Sequence, residues 1–127
     1  MRCISTFLLL GVALIVFAQT AQSPHYDKAA EAVFKGSILE SRERSCPVSG
    51  GLGAHLLLRM PDGKALEVHL GTARLIHEYG LSFHAGEVVE ITGVKVNLSG
   101  TEAILARKMK RGTEEFVFRD SEGNPVW

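Results

Sequence analysis

The sequence predicts a mainly β domain: an antiparallel barrel of five or six strands with one short helix. Three observations carry that expectation. Runs of alternating apolar and polar residues recur along the chain, turn signals separate them at short intervals, and only one stretch has helical spacing. With 127 residues, 46% of them hydrophobic, the chain holds one small core rather than a multidomain enzyme. Its 14 Lys and Arg balance 14 Asp and Glu, which removes the broad basic field of a dedicated nucleic-acid binder.

Residues 1–21 read as a secretory signal peptide. Arg2 supplies a positive charge, Phe7 to Ala18 is apolar throughout apart from Gly11, and small residues follow. Cleavage fits after Ala18, with Val16 and Ala18 at the small-residue positions, or after Ala21. The apolar stretch from Ile4 to Ala18 has 15 residues, short of the ~20 of a spanning helix, so no stable membrane span is expected after cleavage. An exported chain is therefore expected, periplasmic or secreted. Cys3 would leave with the signal, and Cys46 would remain alone in an oxidising compartment. Such a cysteine is buried and inert, bonded to a partner, or a metal ligand.

The single domain is expected over 32–127, after a flexible polar lead-in at 22–31. Ala32 to Glu40 reads as a first strand, and Ser41 to Gly53, charged and then rich in Gly, Ser and Pro, as a loop. Two alternating runs flank Pro61-Asp62-Gly63, a turn signal, and make Ala54 to Leu70 a β-hairpin. A three-residue loop pairs Met60 with Lys64, so that Leu58 meets Leu66, Leu56 meets Val68 and His55 meets His69. Thr72 then caps a short helix over Ala73 to Tyr79, which Gly80 stops. Gly86 to Leu98 is a long strand whose alternation changes face around Gly93, as at a bulge. Ser99-Gly100 turns the chain into a strand from Thr101 to Lys110. Arg111-Gly112-Thr113 turns it again before Glu115 to Arg119, and Pro125 directs Trp127 back as a core plug.

Three strands, a helix between the third and fourth strands, two more strands and an added arm make the element order of an OB-like barrel. A plain antiparallel roll or sandwich gives much the same pattern.

Several short motifs carry a resemblance. Val68-His69-Leu70-Gly71, Gly86-Glu87-Val88-Val89-Glu90-Ile91-Thr92-Gly93 and the closing Phe118-Arg119-Asp120, Gly123, Pro125 and Trp127 resemble a set of small exported bacterial proteins, over Ala32 to Trp127. The likeness implies export and an OB-like barrel. It departs at Thr72, where the group often carries Pro, and it implies no catalytic residue.

Opposed across a hairpin, His55 and His69 bring their Cβ atoms within about 5 Å, close enough for two imidazoles to share one ion. Zn²⁺ or Cu²⁺ would need further ligands, and Cys46, Glu67, His77 and His84 are the candidates. The competing expectation makes both histidines ordinary exposed strand residues. Arg107, Lys108, Lys110 and Arg111 form a basic cluster better explained as a solvated strand than as an oligonucleotide platform, which would need interleaved aromatic rings. No serine lies in a nucleophile elbow, and nothing assures Cys46 a lowered pKa, so catalysis and a tightly held cofactor are not expected. The expected function is that of an exported, non-enzymatic binding module for a protein or small ligand. Its surface would include Arg59, Glu67, Arg107 and Lys108. The alternatives are a Zn or Cu protein using His55 and His69, and an oligonucleotide-binding module.

Overall fold

The computed structural model describes residues 24–127, so the expected signal segment lies outside the described residues. Six strands form one sheet: β1 (Ala32–Cys46), β2 (Gly51–Arg59), β3 (Ala65–Thr72), β4 (Val88–Leu98), β5 (Thr101–Arg111) and β6 (Glu114–Val117). The one α-helix, α1 (Ala73–Glu78), stands between β3 and β4 as the sequence predicts. Neighbours run β3-β2-β1-β4-β5-β6, all antiparallel. A further, parallel pairing of β3 with β5 joins the first five strands into a ring.

The β2–β3 hairpin has the register that its turn dictates. Leu58 faces Leu66, Leu56 faces Val68 and His55 faces His69. The Met60 N–H donates to the Lys64 carbonyl at 2.8 Å, and Asp62 Oδ1 accepts from the Lys64 N–H at 2.9 Å, locking the loop. Leu56, Leu58 and Val68 point inward with Ile38, Leu70, Ile91, Ile104 and Met109, and Leu75 and Ile76 of α1 close on the same core. Thr72 Oγ1 accepts the Leu75 N–H at 3.1 Å, which is the expected helix cap.

β1 differs from expectation. It continues through Ser41–Cys46, and β2 starts at Gly51, so the expected thirteen-residue loop shrinks to the turn 47–50. A register shift between Ile38 and Glu40 interrupts the strand. Before it β1 pairs with β4, from Ala32 opposite Gly93 to Ser37 opposite Val88. After it the strand pairs with β2 alone, from Ser41 opposite Leu56 to Cys46 opposite Gly51. Both faces of Ser41–Ser45 are exposed, so the stretch carries charge without alternation and looks like a loop in sequence. The face change at Gly93 is a bulge, with Thr92 opposite Lys108 and Gly93 opposite Ala106. Arg107 is the extra residue on the β5 side.

Both ends of the described segment are docked. The stretch 24–31, expected to be a flexible lead-in, buries Tyr26 and makes a single 3₁₀ turn at Lys28–Ala30, capped by Asp27. Arg107 donates to both carboxylate oxygens of Glu31, at 2.8 and 2.9 Å, and the Tyr26 hydroxyl donates to Glu31 at 2.7 Å. β6 ends at Val117 instead of Arg119, because the N–H groups of Phe118 and Arg119 both turn to the Arg107 carbonyl, at 2.8 and 3.0 Å. Phe118 is fully buried as a result. The buried Arg119 guanidinium lies 5.4 Å from the Tyr26 ring and 5.2 Å from the Trp127 ring, linking the stretch ahead of β1 to the C-terminal tail. Trp127 packs on Gly71, where a Cβ would come within 2.9 Å of the indole. Among the described residues no helix is long and apolar enough to cross a membrane.

Candidate metal centre

The extension of β1 delivers Cys46 beside the two histidines of the hairpin. Cys46 Sγ lies 3.3 Å from His69 Nδ1, and the rings of His55 and His69 stand 4.1 Å apart between centroids, tilted by 48°. One ligand atom from each of Cys46, His55 and His69 falls within 4.8 Å of the others. Exposed histidines were the competing expectation, and burial corrects it: the side chains of His55 and His69 are only 5% and 10% exposed. Cys46 and Val48, brought in by the longer β1 and its turn, join Tyr26, Val94 and Leu105 in a second apolar cluster beside the pair.

His55 is the informative member. Its Nδ1 lies 2.9 Å from Glu67 Oε1 and 3.1 Å from Arg44 Nε, and Arg44 is in turn paired with Glu67. The Arg44 Nε–H donates to Nδ1 when the ring carries its proton on Nε2; with the proton on Nδ1 instead, the ring donates to the Glu67 carboxylate, a charge-assisted bond, and Nε2 has a bare lone pair. That Nε2 is buried and has no hydrogen-bond partner. The opposite tautomer would bury an unpaired N–H donor, which costs about 1–3 kcal/mol. Carboxylate, imidazole and a free ring nitrogen in line are how proteins orient a metal-binding histidine.

Burial favours the neutral form of both imidazoles. Burial pushes the His69 imidazole down to about 4, with the neighbouring His55 adding to the effect. Burial likewise lowers His55, against the pull of Glu67. For Glu67 burial acts upward, yet hydrogen bonding and charge from Arg44, joined by the two histidines, hold it below the usual carboxylate range. The cluster opens into a cleft of about 520 Å³ between the β1–β2 turn, at Pro47 and Val48, and the β4–β5 turn, at Asn97 and Ser99.

The other sequence candidates stand elsewhere. His77 is exposed on α1, with Nε2 2.6 Å from Glu43 Oε1. His84 lies in the loop before β4, where its backbone N–H donates to Glu87. Arg59 is exposed at the end of β2. Glu67 belongs to the histidine network, Arg107 is paired with Glu31, and Lys108 faces Glu115 at 3.5 Å. Two neighbours escaped sequence reasoning because they lie in the stretch read as a loop. Arg44 is one. Gly53 is the other, since a Cβ there would meet Cys46 Cβ at 2.9 Å and His55 Nε2 at 3.1 Å.

A family model described as the MamS/MamX magnetosome protein family matches residues 31–116. The chain belongs to this family. The MamS/MamX match spans β1 to β5 and most of β6, so Cys46, His55, Glu67 and His69 all lie within it. No curated protein matches the chain.

Proposed function

We propose that this MamS/MamX family member is an exported, non-catalytic binding protein whose ligand is a transition-metal ion held by Cys46, His55 and His69. One observation carries the reading: the buried, unpartnered Nε2 of His55, held by a carboxylate from behind and facing a thiol and a second imidazole. A buried polar atom without a partner is uncommon and calls for an explanation, and an ion supplies one. Thiol and imidazole donors suit borderline and soft metals. The family description, a magnetosome protein, is compatible with a binding role. The ring order, with a helix between β3 and β4, supports an OB-like architecture in which the site lies on the β2–β3 hairpin.

The oligonucleotide alternative finds less support. Arg107, Lys108 and Arg111 face Glu31, Glu115 and Glu87 respectively, which leaves these cations little to offer a phosphate backbone.

Calorimetric titration with Zn²⁺ tests the metal reading. One equivalent is expected to bind, and His69→Ala and Cys46→Ser should each weaken it beyond the roughly 10–100-fold that loss of an outer partner costs. His77→Ala should leave it unchanged. Equal affinity in all four proteins, with melting curves showing each folded, would sink the proposal.

A further inference from the structure

We infer that the Cys46–His55–His69 site selects monovalent copper over Zn²⁺ and Cu²⁺. The inference rests on the metal reading above and narrows it by donor count, softness and charge.

Among the described residues the cluster holds three donors and no fourth. Glu67 is near, but its Oε1 is engaged by His55 and by Arg44, and it serves as the carboxylate behind the imidazole. Structural Zn²⁺ sites almost always take four protein ligands in a tetrahedron, and a three-ligand Zn²⁺ site needs a water or other exogenous group in the fourth position. A blue-type Cu²⁺ centre has this same Cys–His₂ set with a long axial Met, Gln or backbone oxygen, and neither Met nor Gln lines this cleft. A thiolate with two imidazoles is a soft-to-borderline set, and thiolate favours Cu⁺.

Charge decides more sharply. Arg44 and Glu67 are the charged side chains among the described residues lining the cleft, and they pair with each other. The remaining charge is the single negative one that Cys46 acquires on coordination. Cu⁺ brings the buried assembly to zero. A divalent ion would leave one positive charge beside histidines that are 5% and 10% exposed, and an uncompensated buried charge is costly.

The binding step balances without electron transfer. The Cys46 S–H bond breaks, its proton goes to solvent, and the sulfur electron pair forms the S–Cu bond. The two imidazoles give neutral lone pairs. One proton is therefore released for each ion bound.

Gly53 makes the site's clearance testable without touching a donor. An added methyl would sit 3.1 Å from His55 Nε2, 2.9 Å from Cys46 Cβ and 2.7 Å from Ser49 Oγ, filling the space in front of the orphaned nitrogen.

The experiment is an anaerobic competition on the purified chain, with Cu⁺ buffered by bicinchoninate under ascorbate and Zn²⁺ followed by a chromophoric chelator. Cu⁺ should bind one to one, displace equimolar Zn²⁺ and release one proton. X-ray absorption should report one sulfur and two imidazole nitrogens. Gly53→Ala should weaken Cu⁺ at least about 10-fold while the chain still melts cooperatively, and His69→Ala should do so by more. Bound Zn²⁺ that equimolar Cu⁺ fails to displace would overturn the copper preference and leave the metal reading standing. An air-stable Cu²⁺ complex with an intense thiolate charge-transfer band, or sulfur-only coordination, would overturn the assignment as well. If neither Zn²⁺ nor Cu⁺ binds, the metal reading itself fails.

Discussion

Glu31 decides whether the N-terminal segment stays on the ring. The guanidinium of Arg107, hydrogen-bonded to both its oxygens, holds its carboxyl at about 2, with the Tyr26 hydroxyl assisting. A carboxyl depressed on folding stabilises the protein above its ordinary value of 4.5, and this contribution is lost as the pH falls from there toward about 2. Glu31→Gln should therefore melt below the parent at neutral pH, and the gap should narrow in acid. A gap that stays constant in melting curves down to about pH 2 would refute the linkage. Nothing in the sequence foretells this pair, because its members are 76 positions apart and meet only through the bulge at Arg107. The histidine pair is the opposite case. A local turn of fixed length sets its register, so period-two reasoning suffices to place His55 across from His69. Cys46 falls between the two cases. It was one of several candidate ligands, but its proximity depends on a strand continuation that exposed charged residues conceal.

At the scale of elements, the bulges set the curvature, and the glycine at one of them is a steric requirement. A Cβ at Gly93 would run into the Leu105 carbonyl oxygen, within the β4–β5 ladder, whereas a Cβ at Gly51 meets nothing within 4 Å. Gly93→Ala should then lower the melting temperature markedly while Gly51→Ala leaves it nearly unchanged; similar shifts for both would show that the ladder adapts. The helix carries a smaller test. Thr72→Ala removes the hydroxyl that accepts the Leu75 N–H and should cost about 1 kcal/mol, read from urea midpoints at constant slope. Gly93 and Thr72 were both legible in sequence, since a change of alternation and a capping hydroxyl are local signals. The bulge between Ile38 and Glu40 was not, because Leu39 sits in an alternating run that reads equally well without an interruption.

At the scale of the whole molecule, the described residues form a ring fastened by the segments that flank it. Tyr26 from the stretch ahead of β1 and Trp127 from the C-terminal tail flank the buried Arg119, and Trp127 covers Gly71 at the end of β3. Deleting Val126 and Trp127 should lower the melting temperature by several degrees, since in a domain of this size about 1 kcal/mol corresponds to roughly 4–8 °C. An unmoved transition would mean that the tail contributes nothing. The closing β3–β5 contact is beyond sequence reasoning of this kind, because no periodicity marks which two strands will meet in parallel. The placement of Cys46 as the last residue of β1 has a kinetic consequence. His55 and His69 lie in the body of the ring, where each strand has partners on both sides, while Cys46 stands where the ladder stops and a four-residue turn begins. Ladder ends fray more readily than their interiors. A ligand bound here would be held by two fixed anchors and one latch, so residence time would follow the opening of the 46–51 tip, and stiffening that turn would slow uptake and release together while leaving the equilibrium nearly unmoved.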